Sequence, residues 1–127
     1  MSLDLARRSQ PTVPATEMRL YAMDAWVADA AALVDRARLR NALRDAARLG
    51  HVDVVGEAFH DFPNGGVTGV LVLAQSHLSI HTWPELRFAN VDLLSYGSVD
   101  GHVVLETLAE RIGCVRTKIT VVERELG

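Results

Sequence analysis

The sequence predicts an α+β fold, a two-layer α/β sandwich in which a mainly antiparallel sheet carries two helices on one face. Three observations lead there. At 127 residues the chain can build one hydrophobic core and is too short for two. Its elements run β-α-β-β and then β-β-α-β, with no low-complexity stretch between them. The links between consecutive strands are of hairpin length, which favours antiparallel neighbours, because a parallel crossover needs a dozen residues or more. Two helices cover only one face of such a sheet. The other face needs a cover, and at this size a second copy of the chain is a natural one.

Residues 1–16 include Ser9, Gln10, Pro11, Pro14 and Thr16 without sustained periodicity and read as a flexible N-terminal segment, leaving a single domain over 17–127. The alternation of Met18, Leu20 and Ala22 with Arg19 and Tyr21 gives a first strand. Asp35 then precedes Leu39, Leu43, Ala46 and Ala47 at helical spacing, five arginines (36, 38, 40, 44 and 48) take the other faces, and Gly50 follows the last turn. An acidic cap and a glycine stop bound a helix there. A strand over 52–59 leads into the turn-rich stretch 61–66, Asp-Phe-Pro-Asn-Gly-Gly. Val67 to Leu73 reads as a buried strand, and 78–83 and 88–94 as two more, separated by Pro84-Glu85. A second helix is expected over 99–111, with Val103, Leu108 and Ile112 among its apolar positions and Gly113 as its stop. Cys114 falls at the end of that helix, and a last strand over 115–122 lines up Val115, Thr117, Ile119 and Val121 on one side.

Composition removes several classes of function. The net charge of −3 is the wrong sign for a general nucleic-acid binder. Twelve of the thirteen basic residues are arginine, which stays protonated at neutral pH; pyridoxal phosphate chemistry, which needs a lysine imine, could use only Lys118. A single cysteine, Cys114, excludes an internal disulfide and a thiolate zinc cluster. The longest apolar run, 70–74, is far below a membrane span, and Arg7-Arg8 is followed by no apolar signal region, so a cytoplasmic protein without membrane or nucleic-acid partners is expected.

The reactive residue types concentrate in 75–85, Gln-Ser-His-Leu-Ser-Ile-His-Thr-Trp-Pro-Glu. A half-buried strand often carries Ser, Thr and His on its wet face, and that plain reading accounts for the composition alone. His77 and His81 would share one zinc on a helix, but the region is β-like. On a strand, residues four apart stand ~13 Å from each other, too far for one metal. No G-x-S-x-G elbow marks a serine hydrolase.

This stretch resembles the signature of the S-adenosylmethionine decarboxylase proenzymes of bacterial and archaeal type, Glu-Ser-His-Leu-Ser/Thr-Ile-His-Thr-Trp-Pro-Glu. Ten of the eleven positions agree by direct comparison with the chain. The similarity continues through Phe59-His60-x-Phe62, Gly66-Val-Thr-Gly69 and Val91-Asp92, and covers nearly all of 18–124. The resemblance implies self-cleavage between Gln75 and Ser76, with Ser76 becoming a pyruvoyl group at the new N-terminus, and Thr68 and His81 serving the processing step. It implies that this group, with no pyridoxal phosphate and no metal, condenses with the substrate amine through a Schiff base and takes up the electrons released with carbon dioxide. It also implies that Phe62 and Glu85 bind substrate, that His77 and Trp83 are structural, and that the chain is a homodimer or higher homo-oligomer with sites built from both protomers.

Two positions depart from the family pattern. Gln75 replaces the usual glutamate, and Tyr96 stands where the family keeps a cysteine that donates a proton to the decarboxylated carbon. Tyrosine can donate a proton, but with a pKa near ~10 and a larger ring. Cys114, eighteen positions further on, is not expected to substitute. Three functions follow as expectations. The first is decarboxylation of S-adenosylmethionine for spermidine biosynthesis. The second is a related decarboxylase acting on ornithine or arginine. The third is an inactive homologue that regulates a partner.

Overall fold

The computed structural model describes residues 17–125. The segment 1–16, read from sequence as a flexible lead, lies outside them, as do residues 126 and 127 of the domain. In chain order the elements are β1 (Glu17–Val27), a 3-10 turn (Ala30–Leu33), α1 (Arg36–Leu49), β2 (Val54–Asp61), β3 (Val67–Leu73), β4 (Ser76–Trp83), a second 3-10 turn (Pro84–Leu86), β5 (Phe88–Tyr96), α2 (Gly101–Arg111) and β6 (Cys114–Glu125). The strands form one six-stranded sheet in the order β2-β3-β4-β5-β1-β6, and every neighbouring pair is antiparallel.

The helices start and stop where side chains satisfy their free backbone groups. The Asp35 carboxylate accepts the Arg38 amide at 3.1 Å and Gly50 ends α1. Asp100 does the same for Val103 at 3.2 Å, so α2 starts at Gly101 and not at 99. The α1 residues Leu39, Leu43, Ala46 and Ala47 are buried with Val104, Leu105 and Leu108 of α2 against Met23, Leu71, Leu78, Ile80, Val91 and Leu93 of the sheet. A Cβ at Gly50 would overlap Val104 Cγ2, so only glycine lets the end of α1 approach α2 this closely. Along one edge, α1 is tied to β2 by Arg36 to Asp61 at 2.9 Å and by Arg40 and Arg44 to Glu57 at 2.7 and 2.6 Å.

Strand alternation decides what faces away from the helices. In β4, Leu78, Ile80 and Thr82 are buried toward the helices, whereas His77, His81 and Trp83 alternate with them and are less enclosed. The register puts His60, Thr68 and Asn90 in one row with His81 on this second face. Among the described residues no element covers it, and Val72 and Val122 stand about half exposed there.

Further sequence expectations change, the strand expected over 52–59 running instead over Val54–Asp61 as β2. Strands β4, β5 and β6 are longer than expected, since pairing carries them past their alternating segments, and Ser76 becomes the first residue of β4. Cys114 is not at the end of a helix: Gly113, with φ of 75°, breaks the chain and Cys114 opens β6. The row Val115, Ile119 and Val121 does not enter the core. It is exposed because β6 is the outermost strand, with a partner on one side only.

Candidate active site

At one end of the uncovered face lies a cavity of about 380 Å³ lined by Phe62, Asn64, Gly66, Thr68, His81, Thr82 and Trp83. Thr68 and His81 face each other across the β3–β4 pair, with Thr68 Oγ1 2.9 Å from His81 Nδ1. Either atom can donate, depending on the imidazole tautomer. A histidine in contact with a hydroxyl is the arrangement that general acid–base chemistry requires.

The turn between β2 and β3 supplies the rim. Its backbone closes with the Phe62 amide donating to the Gly66 carbonyl at 2.8 Å and the Gly65 amide to the Phe62 carbonyl at 2.9 Å, with Gly65 at φ of 92°. Asn64 Oδ1 accepts the Gly66 amide at 2.9 Å, and Asn64 Nδ2 reaches Glu85 Oε1 at 3.4 Å. Glu85, in the 3-10 turn after β4, is thus drawn to the cavity mouth beside Phe62. The floor is fixed by Thr82, whose buried hydroxyl donates to the Leu33 carbonyl at 2.7 Å and accepts the Val67 amide at 2.8 Å. Of the sequence-identified residues, Phe62, Thr68, His81 and Glu85 therefore come together.

Gln75, Ser76 and Tyr96 lie elsewhere. Ser76 pairs with Leu73, leaving Ala74 and Gln75 as a two-residue turn, and Gln75 sits in the left-handed region at φ of 64°. A side-chain-bearing residue occupies that region at a cost of ~1–2 kcal/mol. Ser76 Oγ donates to the Leu94 carbonyl, two residues before Tyr96, which ends β5 opposite Met18. Ser76 and His81 are five residues apart on one strand. That places them ~16 Å apart and on opposite faces. Within one protomer they cannot meet.

Cys114 is remote from both groups. It pairs with Val27 at one end of β1, whereas Tyr96 pairs with Met18 near the other, ~30 Å away along the strand. It packs against the core, and burial pushes its thiol up to about 11. Lys118 is exposed on β6, as a surface residue.

Sequence reasoning missed Asn64 and Asn90 and gave no role to Thr82 and His60, which it quoted only within the family motifs. The His60 ring lies edge-on to Phe62 at 4.7 Å between centroids, and Asn90 Oδ1 accepts Trp83 Nε1–H at 2.8 Å. For Asn64 a signal was present in the Asn-Gly-Gly turn, whereas Asn90 joins 81 and 83 on one face only through the β4–β5 register.

The chain is similar to known proteins. A family model for S-adenosylmethionine decarboxylase matches residues 19–125. The S-adenosylmethionine decarboxylase proenzyme of Pseudomonas paraeruginosa is 41% identical over 90 residues, 70% of this chain and 56% of the relative. The proenzyme of the same name from Caldicellulosiruptor saccharolyticus is 36% identical over 108 residues, 84% of this chain and 83% of the relative. The chain thus spans little more than half the length of the Pseudomonas relative, but most of the second. The crystal structure of the adenosylmethionine decarboxylase from Aquifex aeolicus superimposes with a TM-score of 0.75 at 27% identity, covering 91% of this chain and 95% of that one. With this match over nearly all of the described residues, the chain belongs to the S-adenosylmethionine decarboxylase family.

Proposed function

We propose that the chain is a proenzyme that cleaves itself between Gln75 and Ser76 and then decarboxylates S-adenosylmethionine, in a homodimer whose sites combine residues of both protomers. The observation that carries this reading is the division of the site. The acid–base pair Thr68–His81, with Phe62 and Glu85, occupies one end of the sheet, and Ser76 with Tyr96 the other. A two-fold partner that sets the Ser76 end of its sheet against this protomer's Thr68–His81 end would satisfy the need for a base beside a weak hydroxyl nucleophile.

In the processing step, the Ser76 hydroxyl attacks the Gln75 carbonyl, and the amide nitrogen is released as an amine while an ester forms. Loss of the ester carboxylate with the Cα proton leaves dehydroalanine, which adds water and expels ammonia to give the pyruvoyl end. The left-handed backbone at Gln75 supports this reading, because part of its strain is relieved when the peptide bond breaks. The pyruvoyl group supplies a ketone that accepts the electrons released with carbon dioxide. The chain's own residues do the rest. Phe62 offers a ring face for a flat base, Glu85 with Asn64 offers acceptors for hydroxyl groups at the rim, and Tyr96, two residues beyond the Leu94 carbonyl that accepts from Ser76, would supply the proton. A cavity with aromatic walls suits a nucleoside better than the aliphatic chains of ornithine or arginine.

The test is mass spectrometry of purified protein made with two inactive variants. Alone, Ser76→Ala and His81→Ala stay intact. Co-expressed, the His81→Ala chain is cleaved after Gln75, because its Ser76 meets the partner's intact histidine. Absence of cleavage in the unaltered protein would eliminate processing and leave the regulatory homologue. Carbon dioxide release from ornithine or arginine alone would replace the substrate.

A further inference from the structure

Trp83 closes β4 on the uncovered face and lines the cavity with Phe62, yet 44% of its surface is open to solvent. The Trp83 indole Nε1–H donates to Asn90 Oδ1 at 2.8 Å. Asn90 stands opposite His81 in the β4–β5 register and so shares a face with both His81 and Trp83. The next pair on the same face is Trp83 with Phe88, whose ring meets Trp26 at 5.3 Å with Arg116 3.9 Å over the Trp26 ring. The Trp83 indole is thus held at its Nε1–H by Asn90.

We infer that Asn90 is a positioning residue: its carboxamide fixes the Trp83 indole as a second aromatic wall, so that the cavity selects a flat heteroaromatic ligand over an aliphatic amino acid. This rests on the proposal that the Phe62 cavity takes the nucleoside end of the substrate. Two fixed rings at one cavity favour a planar base, because stacking area is gained without the entropy of ordering the protein groups. An ornithine-sized ligand gains little from either ring. Asn90 supplies an acceptor to the indole and needs no charge to do so, which makes the conservative variant informative. Aspartate keeps the acceptor, and alanine and leucine lose it.

The experiment uses full-length Ser76→Ala protein, which cannot turn over, titrated calorimetrically with 5′-methylthioadenosine and with ornithine. Adding Asn90→Ala should weaken methylthioadenosine binding about five- to tenfold, the usual span of one lost hydrogen bond. Asn90→Asp should restore it to within about threefold, and ornithine binding should not respond to either change. In the cleaved enzyme the loss should fall on KM and not on kcat, as expected for a group that acts on binding alone. Unchanged nucleoside affinity in Asn90→Ala, with parent binding intact, overturns the role of Asn90 and leaves the proposed substrate standing. Failure of the parent itself to bind methylthioadenosine removes both. A general loss of fold would show as equal weakening in Asn90→Asp and a lowered melting temperature, and that outcome also counts against a positioning role.

Discussion

Thr68 Oγ1 and His81 Nδ1 stand 2.9 Å apart across two neighbouring strands, a pair held by the register of the sheet and not by a loop. Because the strands fix both Cα positions, the hydroxyl can be changed without moving the histidine. Thr68→Ser keeps the contact and should leave self-cleavage near its original rate. Thr68→Val removes it and should slow cleavage by ~10²-fold, and His81→Ala by ~10² to 10⁴-fold. Time courses of chain cleavage on denaturing gels, with intact mass as confirmation, measure all three. Equal cleavage in Thr68→Val and the parent would detach the hydroxyl from processing.

Tyr96 ends β5, two residues beyond the Leu94 carbonyl that accepts from Ser76, and under the proposed mechanism its phenol is the proton donor. Tyr96→Phe keeps the ring and deletes the proton. Cleavage should proceed, while carbon dioxide release with correct product formation should fall by ~10²-fold. Tyr96→Cys restores a smaller donor of lower pKa and should recover activity above that of the Phe variant. The two variants therefore separate the ring from its proton, which a deletion to alanine would not.

Much of this was readable beforehand, for identifiable reasons. The caps Asp35 and Gly50 and the run Val67–Leu73 are local signals, and the structure puts each where the sequence does. The motif around Ser76 is contiguous, so its strand could be located. What could not be read is distance between elements. The separation of Ser76 from His81 depends on Ser76 lying inside β4, which follows from pairing with Leu73 and not from local propensity. Asn90 was invisible for the same reason: its relation to Trp83 spans two strands and appears only once the register is known.

Thr82 should be the most sensitive polar position under the cavity. Its hydroxyl is buried and both donates to Leu33 and accepts from Val67. Thr82→Val preserves shape and leaves the buried Val67 amide unsatisfied, at ~1–3 kcal/mol. Thermal unfolding should register this as a drop of several degrees. Thr82→Ser, which keeps both bonds, should lose less. A melting temperature unchanged in Thr82→Val would mean that the amide finds another acceptor.

The charged seam between α1 and β2 gives stability a definite pH dependence. The Arg40 and Arg44 guanidinium groups hold the Glu57 carboxyl below its ordinary range, and Arg36 does the same for Asp61. Arg36 is in turn held above its ordinary value by Asp61. A carboxyl whose pKa is lower in the folded state binds fewer protons there than in the unfolded chain. Its contribution is thus fully present above ~4.3 for Glu and ~3.9 for Asp, and is lost as pH falls through the lower folded values. These groups lie at the surface, so the contribution is screened by salt. Melting curves at low ionic strength should show stability falling below about pH 4 more steeply in the parent than in Glu57→Gln. The difference should shrink in 1 M salt. A parallel fall in both proteins would assign acid lability to other carboxylates.

Cys114 tests the assignment of the proton donor from the opposite side. Its thiol is half-buried against the core, raised to about 11, and placed at the far end of β1 from Tyr96. At pH 8 its thiolate fraction is therefore smaller than that of a free cysteine by roughly two orders of magnitude. Iodoacetamide should modify the folded protein correspondingly slowly, and the unfolded protein at an ordinary rate. Cys114→Ala should leave a small void but decarboxylate at the parent rate. Rapid alkylation accompanied by loss of activity would instead place this thiol at the reaction, and would require a path from the core side of β6 that the sheet does not provide.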